Sequence, residues 1–446
     1  MATSCAVTKP YQAPTVGTQA LYREPPSTDT SNMANLRWTE VFSDTLLQKL
    51  VAEAIANNLD LKIAYTRIQQ AQAYFEQSKL AFSPAINTDA TVLTGKQSNT
   101  KATSTAGTTN VYQLTATASW EADVWGKLRS SKRAALVSLL QSQGYSRAVQ
   151  TDLVAGVANY YYTLIGLDTQ LHITEQSVKN WMTTVEMMKT LKEAAVVTEA
   201  AVVQSEASRY AVEVTIPDLK QSIFQTENAM SILLARVPGP IKRGTFFQQK
   251  PMSLLSIGVP AQLLSNRPDV QEAEMNFRYN FELTNVARTY FYPSLIISAS
   301  GGYSGLSIFN LFNPASLIAN VAAGLTQPVF NQGINKARLK VAKAGQQAAL
   351  LAFQNILLTA GQEVSNDIAA YQSTLEKTNL RDNQIGNLQK AVEYTQLLVR
   401  NSSANYTEVL TAQQSLLSAQ LNQVNDRLQQ LQATVNLYRD LGGGWK

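Results

Sequence analysis

The sequence predicts a mixed α and β membrane protein that contains an internal duplication. Three observations support this fold class: a recurrence of sequence about 209 residues along the chain, two polar/apolar alternations in each copy, and very long segments with an apolar heptad pattern. Charged residues make up only 15% of the 446 residues, against roughly 25% in soluble proteins. No apolar run approaches the ~18 residues of a membrane-spanning helix. Membrane-spanning β-strands would explain both the low share of charged residues and the lack of a long apolar run, because such strands show only an alternation of apolar and polar residues.

The composition excludes several kinds of site. One Cys forms neither an internal disulfide nor a Cys-based metal cluster, and one His argues against histidine-centred catalysis. The net charge of +5 is spread without a Lys/Arg block, which argues against nucleic-acid binding. No pair of carboxylates stands in a pattern suited to acid–base chemistry. The sequence therefore predicts a protein that is not an enzyme and has no metal site or cofactor.

The recurrence divides the chain into two similar copies. The matching pairs are Asp60 and Asp269, Phe82 and Phe291, and Pro84 and Pro293. Each pair is 209 residues apart (269 − 60 = 209). Each copy is predicted to consist of a helix, two strands, a very long helix and a return helix. The predicted segments are an N-terminal extended segment at 1–40, repeat 1 at 41–237, an equatorial connecting segment at 238–262, repeat 2 at 263–440 and a tail at 441–446.

The strands are predicted from alternation of apolar with polar or small residues. The predicted bounds are about 85–97 and 110–122 in repeat 1, and about 294–304 and 315–327 in repeat 2. Within 110–122, Tyr112, Leu114 and Trp120 alternate with Gln113 and Thr115. Tilted strands of about 9–11 residues can cross a bilayer. The alternative is the edge of a soluble β-sandwich. Four strands from one chain cannot close a membrane barrel, so the membrane interpretation requires an oligomer.

The long helices are predicted from apolar residues at alternating steps of four and three. In repeat 1 the helix is predicted over 127–193, on the order of 100 Å at 1.5 Å per residue. The heptad pattern there includes Leu153, Val157, Leu164 and Trp181. Repeat 2 and the last helix show the same pattern. Many neighbouring positions are Ala, Ser, Gln, Thr or Asn, which suits helices that pack on two sides and border a polar channel.

Several motifs together resemble the outer membrane efflux proteins of the TolC/OprM type. They are Leu-Leu-Ser-Asn-Arg-Pro-Asp-Val at 263–270, the strand-to-helix junctions at 119–129 and 325–333, the helix motif at 406–417, and Leu-Gly-Gly-Gly-Trp at 441–445. The resemblance covers nearly the whole chain in the same order.

The resemblance implies a homotrimer. Three chains would contribute four strands each to a 12-stranded outer membrane β-barrel, continuous with a long periplasmic α-helical coiled-coil barrel. The implied function is that of the exit channel of a tripartite efflux pump, which passively conducts drugs or other small amphiphilic compounds and so contributes to multidrug resistance. The implied partners are a periplasmic membrane-fusion adaptor protein, an inner membrane pump of the RND type and outer membrane lipid.

Cys5 matches the position of the lipidated Cys in that family. The resemblance therefore implies a covalent lipid such as palmitate on Cys5, which would anchor the chain to the outer membrane while it extends into the periplasm. The residues before Cys5 do not form a lipobox, and the alternative is an incidental surface thiol.

The periplasmic gate is predicted at the two turns between helices. The turns are Ala195 to Thr198 and Ser402 to Asn405. The family has Gly at the first position of each turn, where φ is positive, so Ala195 and Ser402 leave the turn geometry open. Thr411 and Gln414 stand where related channels have an Asp and an Arg latch. We expect closure through packing and neutral hydrogen bonds around Tyr406, Thr411 and Gln414, with Glu408 as an acidic ring, the alternative being ordinary coiled-coil residues.

Two other functions remain open at this point. A channel of the same architecture would serve metal export or type I protein secretion. A soluble coiled-coil scaffold is a further alternative, although it has no need of two alternating strand pairs. His172 is expected on a helix surface or in the lumen. Met182, Met187 and Met188 are expected to fill helix packing.

Overall fold

The computed structural model describes residues 7–17, 21–23, 30–96, 108–249, 257–401 and 405–446. These residues form ten α-helices and four β-strands. The helices are α1 Trp38–Val41, α2 Thr45–Asn57, α3 Leu59–Leu80, α4 Lys127–Glu193, α5 Glu199–Glu213, α6 Thr215–Leu233, α7 Leu263–Asn266, α8 Pro268–Thr289, α9 Ile334–Arg400 and α10 Tyr406–Asp440. The strands are β1 Ala85–Lys96, β2 Thr108–Ala122, β3 Ser294–Gly305 and β4 Leu317–Thr326. The mixed α and β fold is confirmed, and the strand bounds agree with the prediction within two residues.

The chain folds into two compact units. One comprises the described parts of Met1–Val16, Thr66–Gln143 and Glu272–Gln354, and the other comprises those of Gly17–Tyr65, Gly144–Gln271 and Asn355–Lys446. Each unit collects segments from both halves of the chain. The sequence repeats are therefore not the compact units of the structure, and the predicted repeat boundaries stay a prediction.

The four strands of the first unit form one antiparallel sheet in the order β1-β2-β3-β4. Its register aligns the apolar residues of all four strands. Ala118, for example, pairs with Ile86 on one side and Ala299 on the other, and Ala299 pairs with Val321. Because side chains alternate between the two faces of a strand, this register places most of the apolar residues on one face.

We call this surface the apolar face of the sheet. It consists of Ile86, Ala90 and Val92 from β1, Tyr112, Leu114, Ala116, Ala118 and Trp120 from β2, Leu295, Ile297, Ala299 and Tyr303 from β3, and Leu317, Ala319, Val321, Ala323 and Leu325 from β4. The opposite face carries mostly Asn, Gln, Ser, Thr and Gly. Several large side chains of the apolar face are exposed, among them Val321 at 81% and Leu325 at 69%.

The junction between β2 and α4 is held by Asp123. Its carboxylate accepts hydrogen bonds from the backbone N–H of Leu128 at 2.9 Å and of Arg129 at 3.1 Å, and it forms an ion pair with the Arg129 guanidinium at 2.9 Å. These bonds satisfy backbone donors that the first turn of a helix leaves unpaired. Trp125 donates its indole N–H to the Pro293 carbonyl at 2.7 Å, which links the junction to the start of β3.

In each half of the chain a helix is interrupted, and the two interruptions are 209 residues apart. The interruption falls at Asn58 between α2 and α3, and at Arg267 between α7 and α8 (267 − 58 = 209). The bounds of α3 and α8 differ by 209 at both ends (268 − 59 and 289 − 80), as do those of β1 and β3 (294 − 85 and 305 − 96). The long helices α4 and α9 both contain 67 residues.

The return helix of repeat 1 was predicted as one helix, which is wrong. It is divided into α5 and α6 at Val214. Pro217 lies in the first turn of α6, where it lacks an N–H and crowds the carbonyl four residues earlier, that of Glu213. The α-helical ladder therefore ends at Glu213 and restarts at Thr215.

The last residues of the chain pack on the α7–α8 interruption. Gly442 has a φ of +91°, and a Cβ atom there would lie 2.4 Å from the backbone of Asn266. Trp445 donates its indole N–H to the Asn266 carbonyl at 3.1 Å. Gly442 is thus required by a close backbone approach and by its left-handed φ. Among the described residues, no helix has the length and apolar character of a membrane span.

Candidate functional site

The predicted gate residues belong mainly to two stretches of the second unit. These stretches, with the side chains packed on them, are called the turn region here; they are the α4–α5 turn at 194–198 and the start of α10 at 405–414. Ala195, Thr198, Asn405, Tyr406, Glu408, Thr411 and Gln414 lie within them. Ser402 and Cys5 lie outside the described residues.

One residue of the α4–α5 turn has a left-handed backbone conformation although it is not a glycine. Ala195 has a φ of +58°. Its N–H donates to the Lys192 carbonyl at 2.9 Å, and the Val196 N–H donates to the Leu191 carbonyl at 2.8 Å. This pattern is a Schellman motif, in which glycine is the usual left-handed residue. The conformation that the family's glycine would adopt is therefore present, and Ala195 adopts it at a cost of about 1–2 kcal/mol.

Thr198 is the N-cap residue of α5; its backbone is extended, and its side chain makes no capping hydrogen bond. Two ion pairs connect α4 with α5 next to the turn. Lys192 pairs with Glu199, and Lys189 pairs with Glu206 at 3.4 Å. All four side chains are partly exposed, so each pair contributes little to stability.

The start of α10 is capped by Asn405. Its side-chain oxygen accepts a hydrogen bond from the Thr407 backbone N–H at 3.1 Å. Glu408 lies in the first turn and is exposed, where a negative charge is favoured by the helix dipole. The role of Glu408 in an acidic ring would need further copies of the chain and stays a prediction.

Tyr406 is the predicted gate residue with the most contacts across helices. Its hydroxyl donates to the Gln204 side-chain oxygen on α5 at 3.1 Å. Its ring packs against two apolar clusters. One cluster is Met188, Ala201, Val202, Val399 and Val409, and the other is Val178, Trp181, Val212 and Leu410. Tyr406 thus joins the start of α10 to α5 by both packing and a neutral hydrogen bond.

Thr411 and Gln414 lie on the exposed side of α10 together with Glu408. The Thr411 hydroxyl donates to the Thr407 carbonyl of its own helix at 2.8 Å. Gln414 borders a cavity of about 480 Å³ with Trp181 and Leu417. The structure therefore does not join Tyr406, Thr411 and Gln414 in one cluster, and a shared role in closure stays a prediction.

Sequence reasoning missed two polar side chains of this region. Gln204 is the partner of Tyr406. Gln413 is buried and donates to the Thr184 hydroxyl oxygen at 2.8 Å. The sequence contained a sign that Gln413 is buried, because Gln413 occupies a heptad position between Leu410 and Leu417 that is normally apolar.

A second polar cluster surrounds Arg267. The guanidinium binds Asp269 in a bidentate manner at 2.7 and 3.0 Å, and it donates to Glu363 at 2.7 Å and to the Asp440 carbonyl at 3.0 Å. Nearby, burial and a hydrogen bond to Asp440 raise the pKa of Asp367 to about 8. Burial also raises the pKa of Asp152. Arg267 and Asp269 therefore connect the start of α8 to α9 and to the end of α10.

His172 is exposed on α4, Met182 is 44% exposed, and Met188 is fully buried in an apolar cluster. Within the described part of the chain, no group of three or more His, Cys, Asp or Glu side chains is arranged to hold a metal ion.

The sequence is similar to curated efflux proteins over almost its full length. It is 28% identical to the antibiotic efflux pump outer membrane protein ArpC of Pseudomonas putida, covering 99% of this chain and 93% of that protein. It is 26% identical to the cation efflux system protein CusC of Escherichia coli, covering 100% and 96%.

Solved channels share the fold. The outer-membrane channel OprN superimposes with a TM-score of 0.91 at 23% identity, covering 99% of this chain and 100% of that one. The open-state MtrE outer membrane channel of Neisseria gonorrhoeae gives a TM-score of 0.86 at 24% identity, with 99% coverage of both chains. The family model for outer membrane efflux proteins matches twice, at residues 50–236 and 259–443. The chain therefore belongs to the outer membrane efflux protein family and is a TolC/OprM-like outer membrane factor.

Proposed function

We propose that this protein is the outer membrane exit channel of a tripartite efflux pump and that it passively conducts drugs or other small amphiphilic compounds. The observation that carries the proposal is the two-faced sheet. A large, continuous and exposed apolar surface on a sheet marks a contact with lipid or with another protein. A polar opposite face suits a water-filled lumen.

The sheet also supports a homotrimer. In the order β1-β2-β3-β4, the strands β1 and β4 stand at the two edges, and a strand edge in lipid must be paired. Three copies would pair β4 of one chain with β1 of the next and close a 12-stranded β-barrel (3 × 4 strands). The long heptad helices would form the periplasmic helical barrel of the same trimer.

An internal duplication accounts for the repeated bounds. The 209-residue displacement recurs in α3 and α8, in β1 and β3, and in the two family matches (259 − 50 = 209). Two copies of one unit would give each chain equal numbers of strands and long helices from each copy.

The partners follow from the family. The relatives are named as outer membrane proteins of efflux pumps. A passive channel needs an energy source elsewhere, so we propose an inner membrane pump of the RND type, a periplasmic adaptor protein, and a location in the outer membrane with an extension into the periplasm. A transport role leaves no step for catalysis, and we propose that the protein is not an enzyme.

Metal export is a second candidate cargo. The observation in its favour is the relative CusC, which is named a cation efflux protein. The same architecture would serve either cargo.

The gate is proposed to close through packing and neutral hydrogen bonds. Tyr406 supports this proposal, since it combines a hydrogen bond to Gln204 with contacts to two apolar clusters. We expect Tyr406→Phe to raise the open probability, because it removes only the hydrogen bond. If Thr411→Ala and Gln414→Ala leave the closed state unchanged in single-channel recordings, those two residues are not part of the gate.

Cys5 is proposed to carry a covalent lipid that anchors the chain, as the family resemblance implies. Metabolic labelling with palmitate tests this proposal. Label that persists in Cys5→Ala would contradict it.

The experiment for the main proposal is reconstitution of the purified protein in planar lipid bilayers. We expect stepwise conductance from a trimeric species that needs detergent for solubility. Recovery of a monomer from detergent-free buffer, without conductance, would overturn the channel assignment. With co-expressed adaptor and pump, the cargo is identified by which compound, organic or metal ion, the assembled system exports.

A further inference from the structure

A cavity of about 470 Å³ lies within the second unit, between α4, α9 and α10. Its volume is typical of small-molecule sites. Its mouth carries the exposed side chains His172, Gln176 and Asn180 of α4. Apolar side chains of α9 and α10, including Val392 and Leu417, complete the wall. None of the lining residues is Asp, Glu, Lys or Arg, so the cavity suits an uncharged occupant.

Trp181 lines this cavity and carries a buried hydrogen-bond donor. Its side chain is 1% exposed, and its indole N–H has no hydrogen-bond acceptor among the residues that the structure describes. A buried N–H without a partner costs about 1–3 kcal/mol. A bound molecule with an acceptor atom would remove this cost.

Gln413 contributes an unpaired acceptor to the same wall. Its side chain is 7% exposed, and no donor in the described part of the chain reaches its oxygen Oε1. The orientation of the amide follows from its neighbour. The Thr184 hydroxyl donates to the Asn180 carbonyl at 3.1 Å, so it can only accept from the Gln413 amide nitrogen, which lies 2.8 Å away. The oxygen is therefore the atom that remains unpaired.

We propose that this cavity binds a small neutral compound that carries a hydroxyl group on an aromatic or aliphatic body. A hydroxyl is both acceptor and donor, so it complements the Trp181 N–H and the Gln413 oxygen. The body of the compound would pack against the indole ring and the apolar wall.

The test is calorimetric titration of the purified full-length protein with 2-naphthol and with 2-methylnaphthalene. The two probes have the same shape and differ in the exchange of a hydroxyl for a methyl group. We expect 2-naphthol to bind at one site per chain and about tenfold more tightly than 2-methylnaphthalene, the factor that corresponds to roughly one buried hydrogen bond. Partition into detergent differs between the two probes and is subtracted with a titration of each probe into protein-free detergent; for one probe it is the same for every variant.

Two variants locate the binding. Trp181→Phe removes the N–H and keeps an aromatic ring, and Gln413→Leu removes the acceptor; each should weaken 2-naphthol binding about tenfold. Trp181 also borders the second cavity of about 480 Å³, whereas Gln413 does not. An effect of Gln413→Leu therefore assigns the site to the first cavity. Trp38→Phe, a Trp outside both cavities, is the matched control and should leave the affinity unchanged.

Circular dichroism and the melting temperature verify that each variant is folded. The proposal is overturned if 2-naphthol does not bind, if 2-methylnaphthalene binds equally well, or if both variants retain the original affinity. Binding is measured without transport, so a channel that conducts but does not bind 2-naphthol refutes this inference and leaves the proposed function intact.

Discussion

The β-sheet and the turn region use apolar side chains in opposite ways. On the sheet, Val321 and Leu325 are mostly exposed. In the turn region, Met188 and Val409 are fully buried in one cluster, and polar residues such as Glu408 and Thr411 are exposed. One chain therefore contains segments suited to two different surroundings. The two segments are distinguished by the exposed fraction of their apolar side chains and not by how many apolar residues they contain.

Truncation of the turn-region cluster should have the largest effect. Met188→Ala removes a fully buried side chain and should lower the free energy of unfolding by about 2–5 kcal/mol. Met182→Ala is the matched control, since Met182 is 44% exposed on the same helix, and it should change little. Denaturant titrations of both variants measure the difference. Equal losses would mean that burial does not distinguish the two positions.

A charge on the apolar face should have the next largest effect. Val321→Lys should cost about 2–4 kcal/mol if this face contacts lipid. Asn320→Lys places the same charge on the neighbouring residue, which faces the other side of the sheet, and should cost much less. Refolding into lipid vesicles followed by urea titration compares the two. A similar cost for both variants would contradict the assignment of the two faces.

A third, smaller effect depends on pH and belongs to the Arg267 cluster. The raised pKa of Asp367, about 8 against an ordinary value of 3.8, means that the folded chain keeps a proton that the unfolded chain loses. Stability contributed by this group is therefore highest at about pH 4 and is lost as pH rises toward 8. Asp440, Glu363 and Arg439 are the charged groups that act on it. We expect Asp367→Asn, which donates a hydrogen bond at every pH, to flatten the fall of melting temperature between pH 5 and 9. An unchanged slope would exclude Asp367 as its source.

The smallest effect is expected at the α4–α5 turn. Ala195→Gly should raise the free energy of unfolding by about 0.5–1 kcal/mol, because relief of the left-handed strain exceeds the added freedom of the unfolded chain. Ala194→Gly, one residue earlier, tests the position, since it has no such strain to relieve and should destabilise. Thermal melts would contradict the argument if both substitutions had the same sign.

The sequence predicted the sheet well and the turn region poorly, for physical reasons. The bounds of α4 and the strands followed from periodic apolar positions and from the places where the period changes, because each depends only on residues near in sequence. The division between α5 and α6 was missed although Pro217 signalled it. The link between Tyr406 and Gln204 spans 202 residues, and no local pattern specifies such a pair. The cavity beside Trp181 and Gln413 is formed where α4, α9 and α10 pack together. The apolar periodicity of one helix does not predict which helices pack against it.

The two edge strands of the sheet have a consequence for genetics. β1 and β4 lie at the edges of the sheet, and the proposed trimer pairs both of them with strands of neighbouring copies. In the proposed trimer, a variant that folds and pairs but cannot open would be built into assemblies with normal chains. If both chains were made in equal amounts, only about one assembly in eight would contain normal chains alone. A defective allele should therefore be dominant, whereas a deletion should be recessive.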